Sequence, residues 1–510
     1  MAITSIPADE PATDSPVNER SRSYQAILRS TAIVGGSSLV NVAVGLVRAK
    51  AMATMLGPSG VGLMGALGSI ADLTRSVAEV GINSSAVRQI ASSVDEPGRL
   101  ARTVKTLRWL ALALGLLGAG TLLVFAAPIA RLTFHDDTHT WAVAIVSAAV
   151  LFRLVADGQA ALLQGTRRMG SLARLNIWGS VLGSAASVAL VYWFREDGVA
   201  LALVAVAGFT LLLSWHYGRQ VLVTQQALTF KETRTEAGAL LRLGVAFMLS
   251  GLATLSAAYL VRLILIRAEG LEAAGLYQAA WSMGGMYVAF VLQAMGTDFY
   301  PRLVAAAQDP TECNRLVNEQ ALVSLLLASA GVLATITFAP WILQLLYTQD
   351  FGAAAQSLRW ICLGMAMRVV TWPLGYILIA TGKSRLFVCV DVAWSVVNVL
   401  LTIGCVHAFG AAGAGIAFFL SYLFHLCLIY PICNRLTGFR WSQTTSRTSL
   451  WLALLIGLVQ TTSLLLDTRL AIAIGGSVSV CVGLWSFMRL RQLVSAERAP
   501  ARIARLFGRT

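Results

Sequence analysis

The sequence predicts an all-α polytopic membrane protein with about 14 transmembrane helices. Of its 510 residues, 57% are hydrophobic and only 13% are charged, and the mean hydropathy is +0.71. This composition leaves too little polar surface to cover a water-soluble globule. The apolar residues also fall into runs of about twenty, the length needed to cross the hydrocarbon core of a bilayer.

Fourteen segments are long and apolar enough to be membrane-crossing helices. Very short connections join the fifth segment to the sixth and the thirteenth to the fourteenth, so we interpret these pairs as helical hairpins. The predicted helices span 26–54, 60–82, 105–127, 141–163, 172–194, 197–217, 240–266, 273–298, 318–346, 358–380, 386–408, 411–434, 449–466 and 469–488.

The distribution of basic residues predicts that both termini are cytoplasmic, because short loops rich in Lys and Arg stay on that side. Only five arginines fall in the outer connections of this topology: Arg131, Arg195, Arg267, Arg359 and Arg469. The inner connections include Arg88, Arg99, Arg102, Lys105, Arg167, Arg168, Arg174, Arg219, Lys383, Arg385, Arg435 and Arg440. This asymmetry accounts for the formal charge of +14, and we expect no nucleic-acid partner.

An internal repeat predicts two six-helix lobes related by a pseudo-two-fold axis. The repeated motifs are Gly62-Leu-Met with Gly275-Leu-Tyr, Gly165-Thr-Arg with Gly382-Lys-Ser, and Gly198-Val-Ala-Leu-Ala with Gly415-Ile-Ala-Phe-Phe. The predicted organisation is a disordered cytoplasmic tail (1–24), an N-lobe (25–217), a cytoplasmic linker (218–238), a C-lobe (239–435), an extra helix pair (436–488) and a basic cytoplasmic tail (489–510).

Two clusters of charge lie inside predicted helices. Asp72, Arg75 and Glu79 are spaced so that they share one helix face, and Arg153 and Asp157 are four residues apart. An ionised side chain at the bilayer centre costs roughly 2.5–3.5 kcal/mol, so it normally faces a partner or a wet cavity. Each cluster therefore either neutralises itself or serves a function.

Three further basic residues lack an acid three or four positions away on their own helix. Lys50, Arg262 and Arg368 must find a partner on another helix or in a bound substrate. For Arg262, the alternative is a side chain that extends to the outer interface. Arg48 lies near Lys50 toward the same side.

Pro373, in T-W-P-L-G, removes a backbone hydrogen bond from the interior of its helix. This predicts either a hinge or a static kink. No cofactor or metal is expected, since the seven cysteines show no paired spacing and no phosphate-binding loop motif is present. The absence of a nucleophile–base pattern predicts that the protein is not an enzyme.

The run L-G-P-S-G-V-G-L at 56–63, followed by G-I-N-S-S-A-V-R from Gly81, resembles the polysaccharide flippases of the multidrug/oligosaccharidyl-lipid/polysaccharide exporter superfamily. These include the O-antigen and lipid III flippases, and the resemblance covers about 25–435. The closest flippases by motif usually have twelve helices, so the segment 449–488 and the basic tail are additions.

The resemblance implies a flippase in the bacterial inner membrane that moves an undecaprenyl-pyrophosphate-linked oligosaccharide repeat unit from the cytoplasmic to the periplasmic leaflet. The translocated repeat unit would be used in the biosynthesis of O-antigen, common antigen or exopolysaccharide. If it is O-antigen, the unit would become part of lipopolysaccharide. Expected partners are the polyprenyl-linked oligosaccharide, the lipid bilayer, a polysaccharide polymerase and a chain-length regulator.

A water-filled cleft with guanidinium groups would lower the cost of moving such an anionic head group. The residues expected to bind substrate in the cleft are Arg153, Arg262, Arg368, Lys50 and Arg48. Those expected to form a charge network or to couple transport to an ion gradient are Asp72, Arg75, Glu79 and Asp157.

Two other functions are compatible with the sequence. An ion-coupled antiporter for multiple drugs or organic cations belongs to the same superfamily, but it predicts a cavity dominated by acids, whereas the unpaired residues here are mainly basic. A membrane polysaccharide polymerase would require a long outer loop with catalytic residues, and the outer connections are short.

Overall fold

The computed structural model describes residues 16–93, 96–221 and 230–506, and every element in these ranges is helical. The α-helices are α1 (Pro16–Glu79), α2 (Ile82–Ala91), α3 (Pro97–Val124), α4 (Ala126–Phe134), α5 (Thr140–Gly165), α6 (Met169–Phe194), α7 (Gly198–Gly218), α8 (Phe230–Ala305), α9 (Pro310–Thr337), α10 (Ala339–Leu346), α11 (Ala355–Ala380), α12 (Ser384–Phe409), α13 (Gly413–Thr437), α14 (Gln443–Leu465) and α15 (Thr468–Leu506).

Within the described ranges, ten helical stretches are long and apolar enough to cross a membrane. Four of these contain two crossings, because the chain reverses within each: Gly36–Glu79, Met169–Gly218, Gly251–Met286 and Ser384–Thr437. The structure therefore confirms an all-α polytopic fold with about 14 transmembrane helices.

Single glycines make two of these reversals. Gly57 has φ 66° and ψ −168°, and Gly270 has φ 88° and ψ 178°. Only glycine adopts this backbone region without large strain. Pro58 follows Gly57 directly, where its fixed φ suits the first turn of a helix. The two crossings within α1, and those within α8, thus meet at sharper turns than the sequence predicts.

Some helix ends differ from the prediction. The predicted helix 318–346 is two helices, since α9 ends at Thr337 and α10 begins at Ala339. The two tail boundaries also lie inside helices: α1 begins at Pro16, and α15 continues to Leu506. Residues 1–15, 222–229 and 507–510, which belong to the predicted tails and linker, lie outside the described residues.

The helices form two bundles and an appended pair. Helices α3, α5, α6 and α7 pack with α1, and helices α9, α11, α12 and α13 pack with α8. The appended pair, α14 and α15, packs on α9. There Gly475 approaches Thr337 closely, and the hydroxyls of Ser329 and Ser486 are 3.4 Å apart. This arrangement confirms two six-helix lobes with an extra C-terminal pair.

The two lobes meet where α1 and α8 reverse, which we call the Gly57 end of the molecule. A Cβ atom on Gly275 would lie 1.8 Å from the Pro58 carbonyl oxygen, and one on Gly62 would lie 2.2 Å from the Leu271 oxygen. The motifs that first indicated the repeat therefore pack against each other backbone to backbone. The Thr133 and Tyr259 hydroxyls also make a hydrogen bond of 2.9 Å between the lobes.

Candidate functional site

The two charge clusters of the N-lobe form one network. Arg75 Nη1 donates to Asp157 Oδ2 at 2.8 Å and contacts Glu79 Oε2 at 3.2 Å. Arg153 Nε lies 3.7 Å from the other oxygen of Asp157. The side chains of Arg75, Glu79 and Asp157 are between 16% and 26% exposed, whereas that of Arg153 is 48% exposed. Neutralisation thus occurs between α1 and α5 as well as along each helix.

Asp72 is not part of this ion-paired network. Its side chain is exposed, and it forms no ion pair with any residue in the described ranges. It lies close enough to attract both Arg75 and Arg262 electrostatically. Asp72 therefore lies within electrostatic reach of both the N-lobe network and Arg262 of the C-lobe.

A polar cavity adjoins the network. It has a volume of about 380 Å³, and its lining includes Arg75, Asn83, Ser84, Asp157 and Gln164. We call it the N-lobe cavity. Its polar lining gives water or an ion access to the Arg75–Asp157 pair.

Arg262 on α8 is held by the following crossing of the same helix. Its Nε and Nη2 donate to Gln278 Oε1 at 3.0 and 2.8 Å, and its Nη1 donates to the Ala258 carbonyl at 2.9 Å. The side chain therefore binds inside the bundle and does not extend to the outer interface. Its partners are neutral, so they orient the guanidinium group but do not cancel its charge.

A second cavity separates α1 from the second half of α8. Its volume is about 260 Å³, and its lining includes Arg48, Met64, Gln278, Ser282 and Tyr347. We call it the central cavity. The Arg48 guanidinium makes no hydrogen bond or ion pair with any described residue. Gln278 belongs to this lining, so the Arg262 group is oriented at the same site.

Lys50 has backbone partners in the other lobe. Its Nζ donates to the Leu345 carbonyl at 2.7 Å and lies 3.4 Å from the Gln344 carbonyl. These are among the last carbonyls of α10, which have no partner within that helix and carry the negative end of its dipole. Lys50 thereby fastens α1 to α10 at the Gly57 end.

The third cavity lies inside the C-lobe and contains Arg368. Its volume is about 240 Å³. The charged residues in its lining are Arg368 and Asp391, His425 adds an imidazole ring, and most of the remaining lining is aromatic. The His425 Nδ1 atom is buried and has no hydrogen-bond partner in the described part of the chain. We call this the C-lobe cavity.

Sequence reasoning missed most of this cavity. Asp391 is an acid inside an apolar helix, which is the same signal that identified Asp72 as a candidate, so the sequence could have indicated it.

Pro373 is buried in α11, which remains helical through it. Its role as a hinge stays a prediction.

The family of the chain follows from comparison with known proteins. Residues 27–306 match the family described as "Polysaccharide biosynthesis protein", which is more than half of the chain. The chain belongs to this family. The lipid III flippases of Escherichia coli (strain K12) and Shigella flexneri are each 22% identical to it over 415 residues, covering 79% of this chain and 97% of the relative.

Solved structures of the multidrug/oligosaccharidyl-lipid/polysaccharide exporter superfamily share the fold of this family member. The lipid II flippase MurJ in an inward closed conformation superposes with a TM-score of 0.67 at 14% identity, covering 90% of this chain and 98% of that one. An inward-facing multidrug resistance MATE transporter gives 0.61 at 17% identity, covering 79% and 96%. Together with the curated relatives, these matches confirm the resemblance seen around 56–63 and support a lipid-linked flippase rather than an enzyme.

Proposed function

We propose that the protein moves an undecaprenyl-pyrophosphate-linked oligosaccharide repeat unit from the cytoplasmic to the periplasmic leaflet of the bacterial inner membrane. The observation that carries this proposal is the central cavity between the lobes, which Arg48 lines and in which Gln278 holds Arg262. Neither guanidinium group has a carboxylate partner among the described residues. An anionic ligand would supply the missing negative charge.

Contacts at the Gly57 end support alternating access to the two leaflets as part of this proposal. In the predicted orientation this end is periplasmic, and the close approach of Gly62 and Gly275 shuts it. The head group therefore enters from the cytoplasmic side, while the prenyl chain remains in the bilayer. Release requires the Gly57 end to open. Lys50 then leaves the α10 carbonyls, and the hydrogen bond between Thr133 and Tyr259 breaks.

Under this proposal the predicted substrate ligands have different roles. We assign pyrophosphate binding to Arg48, which lines the central cavity, and to Arg262, which is held by Gln278 of that lining. Arg153 is already engaged by Asp157, and Lys50 by the α10 carbonyls. Of the acids proposed for ion coupling, Glu79 and Asp157 contact Arg75, so Asp72 is the one most accessible to an external cation.

Complementation tests this proposal. A strain that lacks its own polysaccharide flippase would express the wild type, Arg48→Gln, Arg262→Gln or the control Arg469→Gln, which alters an exposed arginine outside the three cavities. We expect the wild type and the control to restore surface glycan and to clear the accumulated lipid-linked unit. The two cavity variants should restore at most about a tenth of the glycan, since each loses a charge-assisted contact.

The antiporter for organic cations is the second candidate, and the exposed Asp72 favours it. Against it, the described lining of the central cavity contains no acid. Failure of the wild type across several glycan backgrounds, together with resistance to cationic dyes, would replace the flippase proposal with the antiporter. If the flippase proposal holds, a polysaccharide polymerase and a chain-length regulator act on the unit that it delivers.

A further inference from the structure

The C-lobe cavity has two aromatic walls. On α11, the rings of Trp372 and Tyr376 pack edge to face with centroids 4.5 Å apart. Facing helices supply Trp394 and Tyr422, whose centroids are 5.1 Å apart. Trp394 is fixed by a hydrogen bond of 3.1 Å from its Nε1 to Ser421 Oγ. Rings held by neighbours in this way offer rigid flat surfaces to a ligand.

Polar groups lie in the same cavity as these rings. Arg368 supplies donors, Asp391 supplies acceptors, and His425 has an unpartnered ring nitrogen. A ligand that suits this lining has apolar faces and hydrogen-bonding edges. A sugar ring has that character, because its C–H groups cover its faces and its hydroxyl groups project from its rim. A prenyl chain does not, since it would leave the Arg368 guanidinium and the His425 Nδ1 atom without hydrogen-bond partners in an apolar surrounding.

The size of the cavity limits what it can hold. At about 240 Å³, it is below the roughly 300–1,000 Å³ of sites that enclose drug-sized molecules. It therefore accommodates a single ring with its substituents and not a complete oligosaccharide.

Ring contacts lead from this cavity to Tyr277, which is next in sequence to a residue that lines the central cavity. Tyr277 stacks on Trp281 at 6.1 Å, and Trp281 packs on Phe418 at 5.0 Å, within the cavity wall. Tyr277 directly precedes Gln278, the residue that orients Arg262. Trp281 lines the C-lobe cavity and Gln278, three residues before it, lines the central cavity, so both cavities adjoin the same crossing of α8. A sugar bonded to pyrophosphate in the central cavity therefore has the C-lobe cavity as a neighbouring site.

We propose that the C-lobe cavity is a subsite for one sugar ring of the lipid-linked glycan, with Arg368 and Asp391 on the ring edge and Trp372 on its face. This inference rests on the proposed function and deepens it, because it separates recognition of the glycan from recognition of the pyrophosphate. The sugar subsite is in the C-lobe, and the pyrophosphate site lies between the lobes.

Binding measurements on the full chain in lipid nanodiscs test the assignment. The two probes are undecaprenyl pyrophosphate without sugar and the lipid-linked oligosaccharide extracted from cells that accumulate it. The variants are Trp372→Leu, which keeps an apolar side chain but removes the ring, and Arg368→Gln. The control is Trp451→Leu, which alters a tryptophan that is 66% exposed on α14.

We expect Trp372→Leu to weaken binding of the glycosylated lipid by about three- to tenfold, as for the loss of one aromatic contact. Arg368→Gln should weaken it comparably or more. Both variants should bind the sugar-free lipid as the wild type does, which also shows that they are folded, and Trp451→Leu should change neither affinity.

Three results would overturn the inference. If the two cavity variants lost affinity equally for both probes, the cavity would bind the pyrophosphate or serve only to stabilise the fold. If their affinities were unchanged, the cavity would have no part in binding. Equal affinity of the wild type for both probes would show that no sugar subsite exists, although the flippase proposal would stand. Failure of the wild type to bind either lipid would instead contradict the proposed function itself.

Discussion

Arg75 Nη1 and Asp157 Oδ2 lie 2.8 Å apart and join the second half of α1 to α5. About three quarters of each side chain is shielded from solvent. A charge that loses its partner at such a depth is left poorly solvated, and the cost exceeds the net contribution of the intact pair. The N-lobe network should therefore respond asymmetrically to the loss of its individual members.

Asp157→Asn should lower the free energy of unfolding by about 1–3 kcal/mol, below the range for fully buried pairs because this pair is partly exposed. The physical reason is that, among the described residues, Arg75 then keeps an ion pair with Glu79 alone. Thermal unfolding of the purified protein in detergent measures the effect. Asp72→Asn is the matched control, since Asp72 is exposed and has no ion pair in the described ranges. Equal effects of the two substitutions would contradict the network.

Gln278→Glu should weaken binding of undecaprenyl pyrophosphate by about tenfold, because the new carboxylate would form an ion pair with Arg262 and cancel the charge offered to the ligand. The Gln278 amide oxygen already accepts both hydrogen bonds from Arg262, so the position of the guanidinium group should be unchanged by the substitution. Gln443→Glu makes the same substitution at an exposed position on α14 and should leave affinity unchanged. Undiminished binding in Gln278→Glu would remove Arg262 from the pyrophosphate site.

The membrane fold was predictable because hydropathy is a local signal. Each crossing needs about twenty apolar residues, and the prediction of 14 helices depended on nothing beyond that length and the turns between them. The sharp reversals at Gly57 and Gly270 were less predictable. Two helices can be connected through a single glycine or through a turn of four residues, and the sequences of the two connections are similar. Only the backbone dihedral angles distinguish them.

The site was predictable in part, for a related reason. Spacing along one helix identified Arg75 with Glu79 and Arg153 with Asp157, and the structure contains both pairs. Spacing along one helix could not predict that Arg75 also contacts Asp157, since that contact depends on how α1 packs on α5. The C-lobe cavity was harder still, because its aromatic lining comes from four separate helices and follows no sequence period.

Lys50→Gln separates a role in closure from a role in binding. The substitution removes the charge that holds the α10 carbonyls, which should cost the closed state about 0.5–1.5 kcal/mol at this exposed position. Affinity for undecaprenyl pyrophosphate should stay within about twofold of the wild type, because Lys50 is not part of the central cavity lining and its ammonium is bonded to the Leu345 carbonyl. Loss of affinity comparable to that in Arg48→Gln would return Lys50 to the substrate site.

Gly275→Ala should hold the Gly57 end open. The added methyl group would lie 1.8 Å from the Pro58 carbonyl oxygen, and backbone atoms on both sides cannot yield without separating the lobes. The probe is Thr133→Cys, whose position is 1% exposed in this structure. An impermeant maleimide should label it about tenfold faster in the Gly275→Ala background, which requires only about 1.4 kcal/mol of destabilisation of the closed state.

Gly68→Ala on α1 is the matched control, because no neighbouring atom lies within 4 Å of its added methyl group. It should leave labelling unchanged, and it should stabilise its helix slightly through alanine's higher helix propensity. Exposed Cys389, Cys427 and Cys481 would first be replaced by alanine so that only the probe reacts. If Gly275→Ala labelled no faster than Gly68→Ala, the contact of Gly62 and Gly275 would be a fixed packing feature, and the lobes would have to part elsewhere.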